Sequence, residues 1–175
     1  MKKSHLPLIV GILLPIIFII IVSIAIFVPS LSVDPQHDFV YSAENSYYSY
    51  SNEYRNTYKV VNGRIALEPM PYRENMIYKG DMPDLYRYNI RTFTTHKISL
   101  EEAKSLNLDP GPSSPDGYSV AYEYGHSGIF ELFGSNSEDD GYFISKGRGK
   151  KKLPGLPVDG YYRNPGSFKF IGWIK

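Results

Sequence analysis

From Leu6 to Val28 the chain carries no charged side chain, and Ser23 is the only hydroxyl in a run dominated by Leu, Ile, Val and Phe. A helix of that length, at about 1.5 Å per residue, reaches about 34 Å, enough to cross a hydrocarbon core of about 30 Å with some tilt. A helix packed on a soluble core needs a polar face, and this run offers none. The expectation is therefore a transmembrane helix over residues 6–28 behind a short tail at 1–5. Pro7 falls in the first turn, where its missing N–H is no loss, and Pro15 predicts a modest kink.

Orientation follows from the flanking charges. Lys2 and Lys3 precede the run, whereas Asp34, Asp38 and Glu44 follow it with no Lys or Arg before Arg55. The positive-inside rule puts Met1 in the cytoplasm and the rest outside, in a single-pass plasma (inner) membrane protein bound to the bilayer through residues 6–28. A cleaved secretory signal is the alternative, with Ser30-Leu31-Ser32 as its processing site. Signal apolar regions span about 7–15 residues, and this run is longer. Both readings leave the remainder outside the cytoplasm. The 175 residues include no Cys and no Asn-x-Ser/Thr sequon, so packing and hydrogen bonds must hold the outer part together, which leans towards a bacterial-type envelope.

Beyond the run the pattern predicts a mainly β protein: a small antiparallel β domain with one short helix. Residues 29–57 are rich in Ser, Asn, Tyr and acidic groups and read as a stalk. Within it, Tyr47, Tyr48 and Tyr50 form a candidate interaction surface, on a spacing that fits either a strand face or a helical stripe. The domain is expected over 58–175. Tyr58 to Val61 and Arg64 to Glu68 flank Asn62-Gly63, the dipeptide that suits a two-residue hairpin. Asn75 to Lys79 and Leu85 to Phe93 read as a second hairpin. Ser99 and Glu102 form a capping box ahead of Leu100, Ala103 and Leu106, predicting a short helix near 100–107 that must dock on the sheet. Further strands are expected at Tyr118 to Tyr124, Ile129 to Phe133, Tyr142 to Lys146 and Ser167 to Ile174. A basic loop, Gly147 to Lys152, places Arg148, Lys150, Lys151 and Lys152 as a second candidate interaction surface, suited to anionic headgroups, envelope polymer or an acidic partner.

Ser114-Pro115-Asp116-Gly117, followed by alternating Tyr118, Val120, Tyr122 and Tyr124, resembles the opening of WD40-like, TolB-type β-propeller repeats. Asp84 to Ile90 is similar to the outer strand of such a blade. The resemblance covers roughly residues 75–153, about two blades, whereas propellers close with about four to eight. It implies propeller-blade-like sheets or a small sandwich, and a binding platform. The final strand, Phe168 to Trp173, also resembles that of short, membrane-anchored bacterial proteins.

Several chemistries lack their residues. His5, His37, His96 and His126 are isolated, without HExxH spacing, and there is no Cys, so no metal is expected. Gly125-His126-Ser127-Gly128 does not match G-x-S-x-G. Asn136 to Gly141 has the alternating oxygens of a calcium loop but would place Gly147 where the bidentate Glu belongs. No phosphate-binding glycine motif is present, so no cofactor is expected. Once Lys2 and Lys3 are set aside, 17 Lys or Arg face 18 Asp or Glu, which speaks against a nucleic-acid partner. A type IV pilin-like subunit lacks its processing glycine and helix glutamate.

Sixteen tyrosines and one Trp point to an extracytoplasmic interaction or scaffold protein rather than an enzyme, with an envelope protein or polymer as its partner. Two alternatives are an envelope-polymer hydrolase using carboxylates among Asp116, Glu123, Glu131 and Asp140, and a structural subunit whose head folds only in an oligomer.

Overall fold

The computed structural model describes residues 6–43, 52–70, 77–80, 82–124, 140–157 and 168–175. The elements run α1 (Leu6–Leu31), β1 (Phe39–Ala43), β2 (Asn52–Tyr54), β3 (Asn56–Val61), β4 (Arg64–Pro69), β5 (Ile77–Gly80), β6 (Asp84–Asn89), β7 (Thr94–Ile98), α2 (Leu100–Ser105), β8 (Leu108–Asp109), β9 (Ser119–Glu123), β10 (Gly141–Lys146), β11 (Gly149–Lys152) and β12 (Phe168–Ile174). The chain is mainly β, with mostly antiparallel sheets and few helices, as the sequence predicts.

The main sheet has the order β7-β6-β1-β12-β8, and every pairing in it is antiparallel. Its centre, β1, is buried along its whole length. Phe39 and Tyr41 face one layer, packing with Tyr88, Tyr142, Ile144, Leu153 and Trp173. Val40 faces the other layer, with Tyr58, Ile65, Leu85, Ala103 and Leu108. The first layer is the three-stranded sheet β11-β10-β9; the second is the β3-β4 hairpin with α2. A strand buried on both faces reads as a continuous apolar run rather than an alternating one, which suits Phe39-Val40-Tyr41.

This corrects the expectation of a stalk over 29–57, because its Phe39–Ala43 segment is the central strand of the fold. The residues leading to it are bound as well. Val33 is buried in the first layer. Asp38 accepts hydrogen bonds from Arg87 Nε at 3.0 Å, Arg87 Nη2 at 2.6 Å and the Ile90 amide at 3.0 Å. The Asp38 carbonyl accepts from the Ile174 amide at 2.8 Å, and His37 Nδ1 donates to the Ile174 carbonyl at 3.0 Å.

A bulge in the β1-β12 ladder falls between Val40 and Tyr41. Strict alternation would put Trp173 on the face opposite Phe168 and Phe170. The extra residue re-aims the strand, so Trp173 packs at 5.2 Å from Phe170 and 5.5 Å from Phe39 in one layer, while Ile171 serves the other. Trp173 is fully buried, and its Nε1 finds no hydrogen-bond partner among the described residues. That costs about 1–3 kcal/mol, which the burial of so large a ring offsets.

The Asn62-Gly63 hairpin forms where the sequence places it, with Asn62 and Gly63 at φ 50 and 76. Gly63 also permits a close approach: a Cβ there would lie 2.8 Å from Asn107 Oδ1, and its carbonyl accepts the Leu108 amide at 2.8 Å. The short helix is capped as read, since the Glu102 amide donates to Ser99 Oγ at 3.1 Å. Arg64, next after the turn, donates through Nη1 to the carbonyls of Lys104 and Leu106 at the helix's C-terminal end.

Two other expectations are corrected. β5 does not form a hairpin with β6: it pairs in parallel with β2, and β6 turns back on β7. Asn89 Oδ1 accepts the Arg91 and Thr92 amides, and Phe93 takes φ 56, so residues 90–93 make the tight turn. Gly147 to Lys152 is not a loop. Gly147, at φ 59, and Arg148 turn β10 into β11, and the lysines lie on an edge strand.

Among the described residues no helix is long and apolar enough to cross a membrane. The backbone of α1 is helical over 26 residues, and the large apolar side chains described along it are open to the surroundings. Ile9, Ile12, Leu14, Phe18, Ile19 and Ile24 are all exposed. At 100° per residue these positions point to every side of the helix. The strand expected at Ile129 to Phe133 and residues 136–139 of the Asn136 to Gly141 turn lie outside the described residues.

Replacing Asp38 by Ala leaves the Arg87 guanidinium and the Ile90 N–H without their acceptor, and should cost about 2–3 kcal/mol in denaturant unfolding; an unchanged midpoint would contradict the role given to this carboxylate. Alkali provides a second test. Burial raises the phenol pKa values of Tyr88 and Tyr142 and, less strongly, of Tyr41. Above pH about 10 the unfolded chain therefore binds fewer protons than the folded one, and stability falls as pH rises. Tyrosinate absorbance from these rings should grow only together with the loss of near-ultraviolet dichroism. Ionisation ahead of unfolding would contradict their burial.

Candidate functional site

Two surfaces stand out. The first is the β10-β11 hairpin. Antiparallel pairing sets Ile144 opposite Lys151 and Ser145 opposite Lys150. Lys146, Arg148, Lys150, Lys151 and Lys152 are all exposed. The lysines are braced by rings: Lys150 Nζ lies 4.9 Å from the Phe143 centroid and Lys151 Nζ 4.5 Å from that of Phe93. Lys146 Nζ donates to the Asp116 carbonyl at 2.7 Å and sits 5.3 Å from the Tyr118 ring. Lys150 also pairs with Glu123 at 2.6 Å, with side chains 55% and 37% exposed. So open a pair is worth about 0–1 kcal/mol and exchanges readily for another anion. The structure thus brings Arg148, Lys150, Lys151 and Lys152 together on one hairpin and adds Lys146, which sequence reasoning missed. Tyr47, Tyr48 and Tyr50 lie outside the described residues.

The second surface is a relay of rings across the two sheets. Tyr86 stacks on Tyr41 at 5.3 Å, Tyr41 on Phe168 at 4.9 Å, and Phe168 meets Tyr142 at 4.3 Å. Tyr122 stands 5.2 Å from Tyr142 and 5.1 Å from Tyr124, which is 53% exposed. Each contact adds about 0.5–1.5 kcal/mol beyond area burial, so most of these rings are core. The alternation Tyr118, Val120, Tyr122, Tyr124 and the Phe168, Phe170 pair carried this signal in the sequence.

The Ser114-Pro115-Asp116-Gly117 turn has a clear structural task. Ser114 Oγ accepts the Tyr118 amide at 2.8 Å, and the Ser114 carbonyl accepts the Gly117 amide at 2.8 Å. Asp116 Oδ2 then accepts the Gln36 amide at 2.9 Å, and the Tyr118 hydroxyl accepts the Asp34 amide at 3.1 Å. The turn therefore holds the segment between α1 and β1.

Among the described residues, the carboxylates considered for hydrolysis have other partners. Burial pushes the Asp116 pKa up, but hydrogen bonds from Ser114 and the Gln36 amide outweigh it and hold the group below the usual range. Asp109 is likewise lowered, by the Gly111 amide and by Lys175. Neither is the raised acid that glycoside cleavage asks for. Glu123 is paired with Lys150, Asp140 is also engaged, and Glu131 lies outside the described residues. Among the described residues no group of three or more His, Asp or Glu side chains could hold a metal ion. His126 and Ser127 lie outside them too. No family model matches this chain, and neither a curated protein nor a solved structure matches it.

Proposed function

We propose that this chain is a single-pass membrane protein, anchored by its N-terminal helix over residues 6–28, whose β-rich head acts outside the cytoplasm as a non-enzymatic interaction or scaffold module. The observation that carries the proposal is α1 itself. Its apolar side chains are exposed around the whole helix, a surface far larger than the apolar patches that monomers leave in water. A hydrocarbon surrounding removes that cost. Lys2 and Lys3 before the helix, and the absence of Lys or Arg after it until Arg55, favour a cytoplasmic N-terminus.

The interaction role draws on the head's two surfaces. The basic hairpin gathers five exposed cations, Lys146, Arg148 and Lys150 to Lys152, and Tyr124 leaves an exposed ring at the end of the aromatic relay. The resemblance of the Ser114 to Gly117 turn to TolB-type repeats adds weight to a binding platform, whose partner is an envelope protein or polymer.

Because the chain has no Cys, a single cysteine in place of exposed Lys59 makes a unique topological reporter. The full-length protein should resist alkaline carbonate extraction from membranes, and an impermeant maleimide should label the variant in intact cells. Release into the soluble fraction, or labelling only after permeabilisation, would contradict the proposal. Crosslinking in native membranes, compared with a control lacking residues 58–175, should recover a partner that depends on the head.

A further inference from the structure

We infer that the β10-β11 hairpin is a headgroup-binding element, in which Lys146, Arg148, Lys150, Lys151 and Lys152 seat on anionic phospholipid where α1 leaves the bilayer. The inference rests on the membrane-anchor reading of α1 and adds the ligand class of the basic surface.

Position is the first argument. α1 packs against β11, with Cα atoms within 8 Å. Ile9 to Ile21 are exposed wherever they are large and apolar, whereas Val22 and Ser23 are partly covered. The layer that holds the hairpin also buries Val33, two residues past the end of α1, which sets it beside the C-terminal end of the helix. The hairpin is also held there. Val33 is buried against Ile144 and Leu153 in the same layer, and the Asp34 and Gln36 amides are bound by Tyr118 and Asp116. A hairpin tied this way keeps its distance from the end of the helix.

Chemistry is the second argument. Between Gly141 and Leu153 the chain holds these five cations and no Asp or Glu. Glu123 on the neighbouring strand reaches Lys150. Headgroup attraction decays over a Debye length of about 8–10 Å, so cations act only when held at the surface. Lys150 and Lys151 hold their ammonium groups over the Phe143 and Phe93 rings while both side chains stay exposed, so their charges are braced at a fixed place and open to an anion.

Lysines on an edge strand also discourage another strand from adding to it. That role accounts for β11 but not for Arg148 in the turn, and it predicts no response to lipid charge. The two are separable with the full-length protein in nanodiscs of phosphatidylcholine alone, or of equal parts phosphatidylcholine and phosphatidylglycerol. Amine acylation is followed residue by residue by mass spectrometry. With the anionic lipid, Lys150, Lys151 and Lys152 should react several-fold more slowly, while Lys59 and Lys104, on the layer across the main sheet, keep their rates; high salt should abolish the difference. Equal rates in both discs, or a uniform slowing of all five lysines, would overturn the inference. Carbonate extraction of the same protein from zwitterionic vesicles reports separately on the anchor: retention with equal rates sinks the headgroup role alone, and release sinks both.

Discussion

Everything in the head is built on the burial of β1 between β6 and β12. Five residues, Phe39 to Ala43, pair on both edges and are covered on both faces. Phe39 alone meets Tyr88 at 5.0 Å, Trp173 at 5.5 Å and Phe170 at 5.8 Å. Both flanking layers close on this strand, and through β12 it joins the C-terminal end of the chain to the segment that follows the apolar helix. The pairing is long-range, so its loop-closure cost must be met before the contacts form. The dense aromatic packing around Phe39 is what meets it.

That constraint bears directly on how the head relates to α1. A chain that left the helix through a loose stalk would let the head swing freely. Here the intervening residues are fixed by the Ser114 to Gly117 turn, by the Asp38 pair with Arg87 and by the Ile174 backbone. The motif that resembles a repeat opening thus doubles as the clasp for the linker. A head fixed to α1 in this way presents one face consistently relative to that helix.

Local signals were legible in the sequence wherever a few neighbouring residues decide the backbone. Asn62-Gly63 specified its hairpin, Ser99 with Glu102 specified the helix start, and the alternation after Gly117 specified β9. What was not legible depended on distant partners. β1 gave no period-two pattern because both of its faces are buried, and it is embedded among Ser, Asn and Tyr. The pairing of β5 with β2 has no local marker, and the bulge that turns Trp173 inward breaks the alternation used to assign faces. Of the candidate interaction residues, the cluster at Arg148 to Lys152 was visible as charge. Its strand geometry was not, because a lysine run favours a loop unless an aromatic sheet edge supports it.

Native-state hydrogen exchange on the full-length protein in nanodiscs tests the central role of β1 most directly. The amides of Val40 to Ala43 and their β12 partners should be the slowest in the chain and should exchange only by global unfolding, with the same denaturant dependence as the global transition. Exchange of β1 through a local opening, while β9 and β10 stay protected, would show that the segment after the helix is an accessory to a head that stands without it.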